Sequence, residues 1–152
     1  MKQSKRILFM LLVVVLIVSM ASFSVSAANT SDTTHTISIG SAFTRDRAYR
    51  PKEDTSKIYL RIDSCVFIHN YVQAQGCNST GGNRTSCTLV EGEIVAQVVC
   101  RTGVQYSIKN LVNEYGYACA SLDFRRLDGG TTQTSLTYTW SPDSTGSYII
   151  AT

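Results

Sequence analysis

The chain has 152 residues, with 14 Lys and Arg against 11 Asp and Glu and a net charge of +3. Three of the 14 basic residues, Lys2, Lys5 and Arg6, fall in the first six positions, which hold no acid, so the remainder carries 11 of each sign. Such a balanced remainder has no long-range attraction for nucleic-acid backbones or anionic lipid, and its length is that of one ordinary domain.

The three cations precede the apolar run "ILFMLLVVVLIVSM" over residues 7–20 and the small-residue stretch "ASFSVSAA". That order is a secretory signal peptide. The run is 14 residues, shorter than the roughly 20 a helix needs to cross a bilayer. Val25 and Ala27 satisfy the cleavage pattern, so residues 1–27 are assigned to the signal peptide. Cleavage after Ala27 is expected to release a soluble extracellular protein with no further membrane segment.

Residues 28–36, opening with "ANTSDTTH", are small and polar and are read as a mobile leader. The folded domain is expected over 37–152. "TISIGSAFT" alternates briefly, and "RDRAYRPKEDTS" is read as a charged connection in which Pro51 stops regular pairing. "KIYLRID" sets Ile58, Leu60 and Ile62 against Tyr59 and Arg61, the period of two that marks a half-buried strand. "VFIHNYVQAQG" continues in this style, and "TLVEGEIVAQVVC", "VQYSIKNLV", "YACASLDFRRL" and "TSLTYTW" follow, with "SYIIAT" as a further edge. Short strands punctuated by Gly, Asn and Asp predict an antiparallel all-β domain, a single β-sandwich. In "SIKNLVNEYG", Ile108, Leu111, Val112 and Tyr115 are also spaced for a helix that Gly116 would cap. The neighbouring segments all carry period two, which favours strand then turn.

All five cysteines, Cys65, Cys77, Cys87, Cys100 and Cys119, lie beyond the cleavage site, where an oxidising environment preserves disulfides. Cys77 and Cys87 are the expected pair, because "NSTGGNRTS" between them holds no apolar side chain to anchor the loop. Pairing of Cys65, Cys100 and Cys119 does not follow from spacing. No C-x-x-C occurs and neither histidine neighbours a cysteine pair, so neither a metal site nor a cofactor is expected.

For catalysis, the bases near neutral pKa are His35, at the end of the leader, and His69, in strand parity with Phe67 and Tyr71. No nucleophile motif accompanies them. Glu91 and Glu93 flank Gly92 on one segment, whereas glycosidase carboxylates flank a sugar from separate elements; a solvated hairpin end is the favoured reading. No catalytic residue is assigned. Arg45, Arg47, Tyr49, Arg50, Lys52, Tyr59 and Arg61 form a basic, tyrosine-interleaved strip that could meet a wall polymer, a surface glycan or a protein, and that also suits a charged edge strand guarding against aggregation. Asn29, Asn78 and Asn83 each begin an N-x-Ser/Thr triplet, relevant only in a host with that glycosylation machinery. In "WSPDSTGSY", Trp140 is in step with Tyr138 and Leu136 and is expected to be buried. Pro142 presets a turn, Ser141, Asp143 and Ser144 can bond nearby backbone amides, and Gly146 permits a conformation other residues resist.

"YRPKEDTSKIYL", "NEYGYACASL" and "WSPDS" together resemble small, uncharacterised exported proteins of Gram-positive bacteria. The resemblance covers most of the chain after the signal and implies a β-rich exported protein. It brings no activity and no functional residue. The leading expectation is a secreted, non-enzymatic β-sandwich that binds a cell-surface glycan, wall polymer or protein. The alternatives are a secreted antibacterial protein and a small hydrolase centred on His69.

Overall fold

A computed structural model describes residues 29–152. The apolar run over 7–20 and the expected cleavage site after Ala27 lie outside them. Among the described residues no helix is long and apolar enough to cross a membrane.

Twelve strands follow in chain order: β1 Thr33–Ile39, β2 Thr44–Pro51, β3 Ile58–Cys65, β4 His69–Cys77, β5 Thr85–Ser86, β6 Leu89–Val90, β7 Glu93–Ile94, β8 Val98–Arg101, β9 Gln105–Ile108, β10 Cys119–Arg126, β11 Thr134–Ser141 and β12 Ile149–Ile150. One sheet has the order β1-β11-β3-β9-β12, and a second runs β2-β10-β4-β5 with β8 also on β4. Pairing is antiparallel throughout these sheets except for β12 on β9. The expected all-β, antiparallel sandwich is the observed fold.

Alternation along the strands builds the core. The first sheet contributes Ile39, Ile58, Leu60, Ile62, Leu136, Tyr138 and Trp140, and the second contributes Val72, Ala74, Ala120, Leu122 and Phe124. Across the interface the Phe124 and Tyr138 rings lie 4.5 Å apart between centroids. Each such aromatic buries a large area and adds an edge-dependent attraction to the transfer of apolar surface.

Within the strand assignments the structure corrects the sequence reading in two places. Residues 33–36, expected in the mobile leader, are the first half of β1, paired with Thr137–Trp140. A ladder of hydroxyls accounts for this: the Thr34 and Thr139 Oγ1 atoms are 2.8 Å apart and those of Thr36 and Thr137 2.9 Å. Such cross-strand threonine pairs stabilise a polar face without apolar alternation. The first part of the charged connection is in fact β2, an edge strand on β10 that ends at Pro51, where a missing N–H does least harm, and residues 52–56 stay a connection.

The helix-or-strand segment resolves into both parts of its reading. Gln105–Ile108 is strand, and 112–116 forms one tight turn. The Tyr117 amide donates to the Val112 carbonyl at 3.0 Å and the Gly116 amide to Asn113 at 2.9 Å, with Gly116 at φ +73°. That is the Schellman pattern of a helix C-terminus, made here without a helix before it. Glu91 and Gly92, both at positive φ, form the two-residue turn between β6 and β7, the solvated hairpin end expected for Glu91 and Glu93.

Candidate functional site

Two ends of β3 concentrate the chemistry of the molecule. At the Ile58 end a buried polar node gathers around Asp143, the acid of "WSPDS". Its carboxylate accepts from Lys52 Nζ at 2.5 Å, from the Asn29 amide at 2.9 Å and from the Glu53 amide at 3.1 Å. Lys52 Nζ also donates to the Ser56 carbonyl at 2.6 Å. The side chains of Lys52 and Asp143 are both 0% exposed. Asp143 was expected to bond local backbone; instead it ties three distant segments, the residues just before β1, the end of β2 and the turn after β11. Sequence proximity could not show this, because the partners lie 91 and 114 residues away.

Trp140 is 0% exposed in the core, as expected, and the Arg50 guanidinium lies 5.8 Å from its ring centroid. Pro142 is buried in the turn. Gly146 serves close approach: a Cβ there would run into the Tyr148 ring, which in turn lies 4.8 Å from the Tyr59 ring.

The basic strip does not form one surface, because its residues divide between two sheets and two faces. Lys52 is in the node and Tyr59 is buried. Arg50 points inward and donates to Asn29 Oδ1 at 2.6 Å and to the Ser31 carbonyl at 2.5 Å. Arg61, on β3, is paired with Asp63 at 2.5 Å. Arg45, Arg47 and Tyr49 remain as an outward row on β2.

Residues 78–84 lie against one part of that outward face, beside Tyr49 and Asp123. The loop is held without a disulfide. The Asn78 side chain accepts from the Thr80 and Gly82 amides at 3.1 and 2.8 Å, and Arg84 reaches down to Asp123 at 3.2 Å and to the Asp46 carbonyl at 2.6 Å. The close approach of Gly81 to the Tyr49 ring completes these contacts. Burial pushes the Asp123 carboxyl up to about 6, with Arg84 and Arg45 opposing. All five cysteines are free thiols. Cys77 and Cys87 are not brought together: Cys87 belongs to the core cluster, whereas Cys77 points to the opposite face of β4.

At the other end of β3, roughly 25 Å along the strand, the β3–β4 connection and the residues after β10 form an apolar ledge. Val66, Phe67, Ile68, His69, Leu127 and Asp128 surround a concavity of about 460 Å³. Val66 is 80% exposed, Ile68 60% and Leu127 39%. The ledge is rigidly supported. Arg126 lies 3.9 Å from the Phe67 ring centroid and is held by both oxygens of Asp128, at 2.9 and 2.5 Å. The Thr102 hydroxyl donates to the Phe67 carbonyl at 2.9 Å, and the Thr102 amide to that of Ile68 at 2.8 Å. His69 is exposed on this ledge, and its ring makes no hydrogen bond to another described residue. His35 lies in β1, its ring 5.8 Å from that of Tyr138. Sequence reasoning passed over the ledge because Val66 and Ile68 read as the continuation of a strand, and only the position of the hairpin turn leaves them uncovered.

The fold and these two ends define a small all-β sandwich with a buried polar clasp and an apolar tip. Residues 23–144 match the family described as protein of unknown function (DUF2712), and the chain belongs to that family. No curated protein matches it. A solved structure titled "Crystal structure of SPBc2 prophage-derived protein YomS" aligns over 76% of this chain and 99% of its own, at 6% identity and a TM-score of 0.32. That likeness is too loose to bear on function.

Proposed function

We propose that the protein is an exported, non-enzymatic β-sandwich that binds a protein at the cell surface of a Gram-positive bacterium through the ledge of Val66, Ile68 and Leu127. The observation that carries this reading is the exposure of three large aliphatic side chains beside one another on a preorganised support. Contiguous exposed apolar surface is the mark of an interaction site. Its chemistry favours a protein over the other expected partners. Sugars stack on open aromatic faces, whereas the Phe67 ring is covered by Arg126. An anionic wall polymer calls for free cations, and Arg126 is neutralised by Asp128.

The test is retention of the protein on intact Gram-positive cells, on the same cells shaved with protease, and on walls stripped of protein. Retention on intact cells, its loss on shaving, and a drop of at least about tenfold for Ile68→Asp with Arg45→Glu/Arg47→Glu unaffected are expected. Equal retention on protein-free walls, or an unchanged Ile68→Asp variant, would overturn the reading.

A further inference from the structure

Cys77 and Cys119 stand directly opposite each other on the adjacent antiparallel strands β4 and β10. Directly opposed residues on such strands point to the same face, with Cα atoms about 4.5–5.5 Å apart. A disulfide accepts roughly 4.4–6.8 Å between Cα atoms. The alternation of β10 fixes which face this is: Ala120, Leu122 and Phe124 belong to the core, so Cys119 shares the outward side with Ser121 and Asp123. The Cys77 thiol is on that side too, donating to the Cys119 carbonyl at 3.4 Å. Cys87 and Cys100 are on the core side, and Cys65 sits at the end of β3 against Asn70. The five thiols therefore resolve into one facing pair and three others.

We propose that Cys77 and Cys119 are a redox site, closed to a cross-strand disulfide by a low-molecular-weight disulfide such as oxidised glutathione. Cys119, 4% exposed against 0% for Cys77, loses its proton and attacks one sulfur of the oxidant, releasing the first small thiol. Cys77 then attacks the sulfur of Cys119 in the mixed disulfide and releases the second. Two protein thiols are oxidised, one small disulfide is reduced, and the two protons leave on the two small thiols. Burial raises both cysteines above the ordinary thiol range, Cys77 to about 11. The bond therefore forms fastest during folding, before residues 78–84 close over the pair. Once made, it staples the two central strands of the second sheet at the point where that loop begins.

The experiment is refolding of the reduced full chain in a mixture of oxidised and reduced glutathione, followed by alkylation, trypsin and mass spectrometry. Tryptic peptides 62–84 and 110–125 are expected as one disulfide-linked species, retained in Cys65→Ser and Cys87→Ser and lost in Cys77→Ser and Cys119→Ser. Reduction should lower the melting midpoint of the parent by on the order of 10 °C and leave that of Cys119→Ser unchanged. A link from 62–84 to 85–101 that persists in Cys65→Ser and is lost in Cys77→Ser, which puts Cys77 on a partner other than Cys119, would overturn the proposal. So would five alkylated thiols in a protein that has regained its native spectrum, or a link that survives Cys77→Ser.

Discussion

Lys52 Nζ and Asp143 Oδ1 are 2.5 Å apart with both side chains shut off from solvent, and through them the end of β2 is fastened to the turn after β11. Removing one partner leaves the other charged and buried, which costs about 3–5 kcal/mol. Lys52→Met and Asp143→Leu should each lower the unfolding free energy by that amount in urea titrations. The double variant should cost markedly less than the two added together. Strict additivity would show that the two groups are not coupled.

Trp140 fills the core at the end of β11, and truncation leaves a large void. Trp140→Ala is expected to lose about 3–5 kcal/mol, and Trp140→Phe clearly less. Equal thermal midpoints for the alanine variant and the parent would contradict the burial of the ring.

Asp123 carries a pH signature. Its folded pKa of about 6 lies above its value in the unfolded chain, near 4, so the native state holds the proton more tightly between the two. The stability this group contributes is fully present below about pH 4 and is lost as the pH rises through about 6. Other carboxylates superimpose their own slopes, so the informative quantity is the difference between parent and Asp123→Asn. Over that window the parent should gain stability relative to the variant on acidification, read as a converging or crossing pair of urea midpoints. Parallel profiles would mean that Asp123 titrates in the same way in both states.

Gly116 occupies the left-handed position of the turn at 112–116 with φ +73°. A Cβ there meets no neighbour, so Gly116→Ala isolates the backbone term and should cost about 1–2 kcal/mol. A neutral substitution would show that the turn relaxes without the positive φ.

The sandwich and most of its core were legible because burial on one face of a strand writes itself as period two. Ile58, Leu60 and Ile62, and Ala120, Leu122 and Phe124, are the clearest cases. The polar parts of strands were not legible: Ile37 and Ile39 mark only the second half of β1, whose first half pairs through threonine hydroxyls, and the charged β2 leaves no apolar alternation. The loop at 78–84 looked in need of a disulfide because it lacks apolar residues. Its anchors are the Asn78 carboxamide and the long reach of Arg84, which composition does not distinguish from a solvated loop. The node around Asp143 and the ledge at Val66 and Ile68 depend on contacts between distant segments and on where one turn falls, information that a local pattern does not hold.

Cross-linking reads the binding face without knowledge of the partner. With a photo-reactive side chain placed at Ile68 in one sample and at Arg47 in another, irradiation on intact Gram-positive cells should yield a protein adduct from Ile68 and none from Arg47. An adduct from Arg47 alone, or retention on the cells with no protein adduct from Ile68, would contradict binding through the ledge.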